Sequence, residues 1–466
     1  MHAPSGKTFG SDLTQGSIPR KLLGLALPML AGNMLHMGYG IINMIWVGRI
    51  LGPDALGAVA VSFPIMFIFI ALAAGATMAT TILVSQYYGA KDNAMVEKTI
   101  NNSFTFAIVF GSLLSLAGIL LGDTLLNAMN TPDAIFKHAS LYFRVSMLGF
   151  VIMYFSFLIT SILRGIGDSK TPLVFMAVGI GVNALLDPLL IIGIGPFPKM
   201  GLVGAAVASI ISSLVAVFIG FIYLNRKSHV VALRLRGLGL DWKLTGLLFK
   251  IGFPSMIQQS LVSVGSAFVT TFVNGFGASA TAAFGAAGRT ENIAFMPIMT
   301  MSMAVSVMAG QNIGAQKIER VNQVFFWGAA FSLCITAVTV GLLVSFPHAF
   351  MSMFVKDTAV IDIGVVYLRI VAWGFLPFAL MFVSNGIING SGHTIVTMIF
   401  TLISLWGVRI PLAHYLPKTS LGITGIWWAI ILSFMVTTIV SLSYYFSGHW
   451  KKPVKGIGTM APKPSN

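Results

Sequence analysis

The chain alternates twelve long apolar runs with short polar connections, and this pattern constrains its fold more than any other feature of the sequence. Each run has about 20 residues or more, the length that an α-helix needs to cross the hydrocarbon core of a bilayer. The predicted spans are 22–48, 56–86, 102–121, 141–163, 171–195, 202–224, 247–275, 279–309, 325–346, 367–388, 395–416 and 422–446. We therefore predict an all-α polytopic membrane protein with twelve transmembrane helices.

The composition excludes an ordinary soluble protein. Of the 466 residues, 56% are hydrophobic and only 9% are charged, whereas a soluble chain carries about 25% charged residues. A net charge of +15 would suggest a nucleic-acid partner in a soluble protein. Here most Lys and Arg residues lie in one set of alternate connections and in the tails, where they set the orientation of the helices. We expect the bilayer, and no nucleic acid, as partner, with both termini in the cytoplasm.

Three pairs of short segments recur at a constant shift of 225 residues. They are YYGAKD at Tyr87–Asp92 with NIGAQK at Asn312–Lys317, YFR at Tyr142–Arg144 with YLR at Tyr367–Arg369, and RGIGDS at Arg164–Ser169 with NGSGHT at Asn389–Thr394. A fourth pair, LPMLAGNML and FPSMIQQSL, is one residue out of step. Both members of the first pair lie in basic, and hence cytoplasmic, loops, so an even number of spans separates them. This predicts two six-helix lobes of the same topology, related by a pseudo-two-fold axis along the membrane normal.

The repeat divides the chain into five parts. The predicted parts are a cytoplasmic N-terminal tail (1–21), an N-lobe (22–224), a cytoplasmic inter-lobe loop (225–246), a C-lobe (247–446) and a cytoplasmic C-terminal tail (447–466). Transporters built from such halves bind their substrate between them and expose it alternately to the two sides of the membrane.

The sequence carries no motif of covalent chemistry. It has no GxxxxGK[ST] phosphate loop, no HExxH and no GxSxG, so we predict that the protein is not an enzyme and that an ion gradient drives it. The single cysteine, Cys334, lies in an apolar run and is expected to be a small core residue. We expect no cofactor and no metal site; the coupling ion would be H⁺ or Na⁺.

One carboxylate stands inside an apolar stretch, Thr171–Pro198. Asn183 and Asp187 are four residues apart, so on a helix they share one face, and Pro188 tends to kink or unwind the helix there. A carboxylate facing lipid would cost about 3 kcal/mol. We predict that Asp187 is a proton or cation site in a transport pathway. The alternative is a local cap at a helix break, satisfied by backbone N–H groups.

Several stretches resemble one transporter family. They are IINMIWVGRILGPDALGAVA, YYGAKD, LRGIGDSKTP, GVNALLDPLL and GLVGAAVAS. The sequence resembles the multidrug and toxic compound extrusion (MATE) transporters, in particular their DinF-like bacterial branch, from about Pro19 to Tyr445. The resemblance implies twelve helices in two six-helix lobes. It also implies export of amphipathic, often cationic, drugs and toxic compounds in exchange for protons or Na⁺. We expect a monomer without an obligatory protein partner in the bacterial inner membrane.

The resemblance also implies a cation site in the N-lobe. The family's positions fall on Asn43, Asn183, Asp187 and Ser209, and a tyrosine near the drug falls on Tyr39. Many relatives have an aspartate where this chain has Asn43. Asp187 is then the only carboxylate of the set, which favours one titrating group and hence H⁺ over Na⁺.

Three further polar residues of the C-lobe are candidates for substrate binding. Glu291 is either an acid for cationic substrates or protons, or one half of a buried ion pair with Arg409 or another residue. Arg409 either anchors an anionic group or extends to the outer interface. Gln258 either binds substrate or bridges two helices.

We therefore predict a secondary multidrug antiporter. The main alternative is a flippase for lipid-linked precursors built on a related fold. A flippase would be expected to line its cavity with several cationic groups for a pyrophosphate, and the spans offer chiefly Arg289 and Arg409.

Overall fold

The structure, a computed structural model, consists of helices and connecting loops, with no β-strand, within the residues it describes, which are 10–227, 239–452 and Val454. Sixteen α-helices lie within these ranges: α1 Ile18–Leu51, α2 Pro53–Gly89, α3 Asn93–Ala128, α4 Asp133–Leu148, α5 Phe150–Gly165, α6 Lys170–Ile192, α7 Leu202–Lys227, α8 Trp242–Asn274, α9 Ala278–Gly314, α10 Ile318–Ser345, α11 Pro347–Ser352, α12 Thr358–Val371, α13 Phe375–Gly390, α14 Thr394–Thr401, α15 Ile410–Tyr415 and α16 Thr424–Ser447. A π-helix, Leu402–Arg409, joins α14 to α15. Parts of the predicted inter-lobe loop and of both predicted tails lie outside the described residues.

The predicted number of spans is confirmed. Among the described residues, eleven helical stretches are long and apolar enough to cross a membrane, and α4 with α5 makes a twelfth that is bent by 49°. Each of the twelve predicted spans overlaps one of these stretches. Several helices are longer than predicted: α2, α3 and α9 each have 36 or 37 residues. Polar first and last turns extend them beyond the apolar segments that the prediction used.

Contacts divide the chain into two compact units. The first contains residues up to Asp12 together with Leu27–Met256, and the second contains Leu13–Ala26 together with Ile257–Asn466. Helices α1 and α8 therefore each begin in one unit and end in the other. Pro28 and Pro254 lie inside these two helices, within three residues of the point where each helix passes from one unit to the other.

The segment that precedes α1 belongs to the second unit because it is hydrogen-bonded there. The backbone N–H of Leu13 donates to Gln311 Oε1 at 3.0 Å, and Lys317 Nζ donates to the carbonyl of Thr14 at 2.9 Å. Arg320 Nη2 donates to the carbonyl of Gly16 at 3.1 Å. The side chain of Leu13 is buried. The loop between α9 and α10, one of the repeated motifs, is thus a binding site for this segment.

The segment that precedes α8 is held by the first unit in the same manner. The backbone N–H of Asp241 donates to Asn102 Oδ1 at 2.8 Å, and the Asp241 carboxylate forms an ion pair with Lys98. The hydrogen bond from Lys98 lowers the pKa of Asp241 to about 2, so this carboxylate is charged at any physiological pH. Gly16 and Asp241 are 225 residues apart, so the two segments occupy equivalent positions in the repeat.

Close contact between α9 and α13 forms the centre of the second unit. Gly386 and Gly390, one turn apart on α13, lie against the backbone of α9, and a Cβ atom on Gly390 would be 2.4 Å from the carbonyl oxygen of Ser306. Ser302 Oγ adds a hydrogen bond to the carbonyl of Phe382 at 2.6 Å. Small residues in this spacing allow transmembrane helices to approach closely. Cys334, by contrast, is exposed on α10, so its prediction as a core residue is wrong.

Replacing Gly390 with alanine should destabilise the protein by about 1–3 kcal/mol, because the new methyl group overpacks the interface between α9 and α13. The matched control is Gly341→Ala on α10, where a Cβ atom would meet nothing within 4 Å. Thermal unfolding of the purified proteins in detergent measures both changes. Equal melting temperatures for the two variants would contradict this account of the packing.

Candidate functional site

Helix α6 positions Asn183 and Asp187 on one face, as the sequence predicted. Both side chains are buried, and Asp187 has no exposed surface. The helix continues through Pro188 to Ile192. Of the two expected effects of Pro188, a kink or an unwinding, the unwinding does not occur, and the alternative of Asp187 as a cap at a helix break is wrong. A proline inside a helix removes one backbone hydrogen bond but does not oblige the chain to unwind.

Helix α7 brings Ser209 beside these two residues. The turn from α6 to α7 is closed by backbone hydrogen bonds, from Met200 to Leu190 at 2.9 Å and from Gly201 to Ile191 at 3.2 Å. Gly204 lies directly against Leu190, where a Cβ atom would be 2.6 Å from the carbonyl oxygen. The absence of a side chain there lets the two helices pack closely.

Asn183 connects Asp187 to α7. In the amide orientation that satisfies its neighbours, Asn183 Nδ2 donates to Asp187 Oδ2 at 2.8 Å, and its side-chain oxygen accepts from the backbone N–H of Ser209 at 3.1 Å. Asp187 Oδ1 is buried and has no hydrogen-bond partner among the described residues. One carboxylate oxygen is thus held, and the other is available to a proton or an ion.

Tyr39 and Asn43 on α1 complete the constellation. Ser209 Oγ donates to the carbonyl of Ala205 at 3.0 Å and therefore accepts from Tyr39 Oη, 2.8 Å away. Asn43 Nδ2 donates in turn to Tyr39 Oη at 3.4 Å. The structure thus brings together all five predicted N-lobe residues, with Tyr39 as the link that joins Asn43 to the rest.

Tyr142 of α4 also belongs to the site, although it was not among the predicted site residues. It lies close enough to Tyr39 and Asp187 to interact electrostatically with both. The signal was present, because Tyr142 and Tyr367 are the tyrosines of the repeated YFR and YLR segments.

A second polar cluster lies in the C-lobe. Tyr367 Oη donates to Glu291 Oε1 at 2.5 Å, and Arg409 Nε donates to Ser433 Oγ at 2.8 Å. Glu291 and Arg409 interact electrostatically. However, no nitrogen of Arg409 lies within 4.0 Å of a carboxylate oxygen of Glu291, the limit for an ion pair. Gln258 Nε2 donates to Thr401 Oγ1 at 2.8 Å, which bridges α8 and α14.

Comparison with known proteins gives a consistent result. The MatE family model matches the chain twice, over residues 28–189 and 254–415, which confirms the internal repeat. A Bacillus subtilis protein named "Probable multidrug resistance protein YoeA" is 32% identical over 94% of this chain and 95% of its own length. The Thermotoga maritima protein named "Probable multidrug resistance protein NorM" is 29% identical, over 95% of this chain and 96% of its own length.

A solved structure agrees with these matches. The outward-facing conformation of a multidrug resistance MATE family transporter of the MOP superfamily superposes with a TM-score of 0.87 at 25% identity. The superposition covers 96% of this chain and 99% of that one.

The hydrogen bond from Asn183 should stabilise the fold only while Asp187 is an acid. Asn183→Ala should cost about 1–3 kcal/mol, because it leaves a buried carboxylate without its donor. The same substitution in an Asp187→Asn background should cost less, since no carboxylate remains to be satisfied. A double-mutant cycle of thermal unfolding measures the difference. An identical cost in both backgrounds would show that Asn183 does not act through Asp187.

Proposed function

Because this chain belongs to the MATE family of transporters, we propose that it is a multi-pass antiporter that exports amphipathic, often cationic, compounds in exchange for protons. Relatives named multidrug resistance proteins that match nearly the whole chain support export as the activity. The buried constellation around Asp187 supports the coupling. No covalent step is part of this function, so the protein is a transporter and not an enzyme.

The observation that carries the proposal is the burial and incomplete hydrogen bonding of the Asp187 carboxyl group. It is the only carboxylate of its constellation, it is fully buried, and one of its oxygens lacks a partner among the described residues. Burial penalises its charged form, while the donor of Asn183 stabilises that form. A group balanced in this manner exchanges a proton when its surroundings change slightly.

The cycle follows from this balance. When the site is open to the outside, Asp187 takes up a proton at Oδ1, and the site loses its negative charge and with it the affinity for a cationic substrate. When the site is open to the cytoplasm, Asp187 releases the proton and again attracts a cation. Tyr39 of α1 is hydrogen-bonded to Ser209. Through this bond the change in protonation of Asp187 reaches α1.

Sodium is the alternative coupling ion. The side chains of Asp187, Asn183 and Ser209 are neighbours, and the oxygens of such side chains are suitable ligands for a hard cation. Asn43 supplies no second carboxylate, so a bound Na⁺ would rest on a single negative charge. This favours the proton.

The proposal extends to the location of the protein, its oligomeric state and its substrate contacts. We place the protein in the bacterial inner membrane as a monomer with both termini in the cytoplasm, in accord with the positive-inside distribution of Lys and Arg. Glu291, Arg409 and Gln258 would contribute to substrate binding from the C-lobe. The working partners are small amphipathic molecules and the bilayer.

An imposed pH gradient should drive ethidium transport in inverted vesicles without Na⁺, and Asp187→Asn should reduce this transport to background because the switch no longer titrates. Asp133→Asn is the matched control, because Asp133 is exposed at the start of α4 and lies outside the constellation. Glu291→Gln is measured alongside.

Three outcomes would count against the proposal. Transport that requires Na⁺ and does not respond to the pH gradient would show that the coupling ion is Na⁺ and not H⁺. Normal transport by Asp187→Asn together with failure of Glu291→Gln would move the coupling acid to the C-lobe. Absence of any export by the wild type, inserted correctly, would overturn export itself.

A further inference from the structure

A polar cavity lies beside the first turns of α3, within the first compact unit. Its volume is about 500 Å³, which is in the range of sites for small ligands. The residues that line it include Glu97, Lys98, Asn101 and Asn102 of α3 and Asp241, which precedes α8. The cavity shares no residue with the constellation around Asp187.

Buried polar atoms without a partner are concentrated at this cavity. Thr99 Oγ1, Asn101 Oδ1 and Asn102 Nδ2 are buried and have no hydrogen-bond partner among the described residues. Asn101 is 7% exposed and Asn102 is 1% exposed, and both line the cavity. Buried polar atoms are nearly always hydrogen-bonded in native structures. Three exceptions within four consecutive residues indicate a partner that comes from outside the described part of the chain.

The second lobe shows that the fold does not require two amides at this position. The residues 225 positions later are Phe326 and Trp327, both exposed on α10. Asn102 has a structural role, because its Oδ1 accepts from the backbone N–H of Asp241 at 2.8 Å and from Thr245 Oγ1 at 3.2 Å. The side chain of Asn101 forms no hydrogen bond to a described residue. Its amide is therefore available to a ligand in the cavity.

The charges around the cavity favour a ligand that carries both signs. Glu97 and Asp241 are acids, and Lys98 is the one cation among the described lining residues, so a purely anionic ligand would meet two carboxylates. Lys98 pairs with Asp241, yet 52% of its side chain stays exposed. Because an ammonium group has three donors, Lys98 can bind a second acceptor.

An exposed aromatic surface continues from the cavity along α8. Trp242 directly follows Asp241 and is 79% exposed, and tryptophan is enriched at the level of lipid headgroups. Phe249 and Phe253 are seven and eleven residues further on, so they share a face of the helix with Trp242. Both are exposed, and their rings stack with centres 5.0 Å apart. This face offers an apolar surface to acyl chains.

We propose that the cavity binds the phosphoethanolamine headgroup of a membrane lipid. The ammonium group of the lipid donates to Asn101 Oδ1 and is attracted by Glu97. Its phosphate accepts from Lys98 and from Asn102 Nδ2. A soluble phosphoethanolamine compound has the same chemistry, but the aromatic face of α8 favours the lipid. This inference goes beyond the proposed export function and does not depend on it.

The test compares lipids with identical acyl chains and different headgroups. Binding to the purified, delipidated full-length protein in detergent is measured by native mass spectrometry. The wild type should bind phosphatidylethanolamine about tenfold more tightly than phosphatidylcholine, because a trimethylammonium group has no N–H to donate to Asn101. The mono- and dimethylated ethanolamine lipids should have intermediate affinities.

Two substitutions of one residue separate binding from folding. Asn101→Leu removes the acceptor at similar volume, so it should abolish the preference and leave the melting temperature in lipid-free detergent no lower than that of the wild type. Asn101→Asp keeps an acceptor and should retain the preference. Asn127→Leu is the matched control, because Asn127 is exposed at the other end of α3. If Asn101→Leu does not fold, the methylation series on the wild type and on Asn101→Asp still decides the question.

Equal affinity of the wild type for the ethanolamine and choline lipids would overturn the inference, and so would a preference that survives in folded Asn101→Leu. Tighter binding of phosphatidylglycerol than of phosphatidylethanolamine would also contradict it, because that lipid has no ammonium group. Soluble glycerophosphoethanolamine is added as a competitor. If it displaces the lipid at equal concentration, the headgroup chemistry stands and the membrane as its source is wrong.

Discussion

A buried carboxylate in the interior of a membrane must be stabilised by the protein, because lipid chains offer it neither a hydrogen bond nor an opposite charge. In this chain Asn183 provides one hydrogen bond to Asp187, and Ser209 orients Asn183 through its backbone N–H. That arrangement requires α6 and α7 to pack at the distance that Gly204 permits. The chemistry of the N-lobe thus depends on the packing of one helical hairpin.

The internal repeat gives two lobes of the same topology, and the charged residues at their polar clusters differ. The tyrosine at the repeated position is kept, while Asp187 in one lobe and the Glu291–Arg409 pair in the other give the two sites different electrostatic character. Under the proposed function, the two divergent sites would separate two tasks, with ion coupling in the N-lobe and substrate recognition in the C-lobe.

Much of this was predictable from the sequence because it depends on local patterns. Hydropathy determines the spans, and a spacing of four residues places Asn183 and Asp187 on one face of a helix. The repeat predicted two lobes, and the double match to the family confirmed them.

The remainder depends on contacts between distant segments, which the sequence pattern does not encode. Pro188 predicted a break in α6 that the helix does not make, whereas the irregular backbone occurs at Leu402–Arg409, where no pattern marked it. Tyr142 reaches the site only because α4 packs beside it. Cys334 lies in an apolar run, but apolar side chains of a membrane protein can face lipid as well as the core.

The most direct test of the central claim is the release of protons when substrate binds. Ethidium is added to the purified protein in weakly buffered detergent solution, and the change in pH is recorded. The wild type should release protons in proportion to the ethidium bound, because a cation in the site favours the charged form of Asp187. Asp187→Asn should release none. Equal release by both proteins would show that Asp187 is not the group that exchanges the proton.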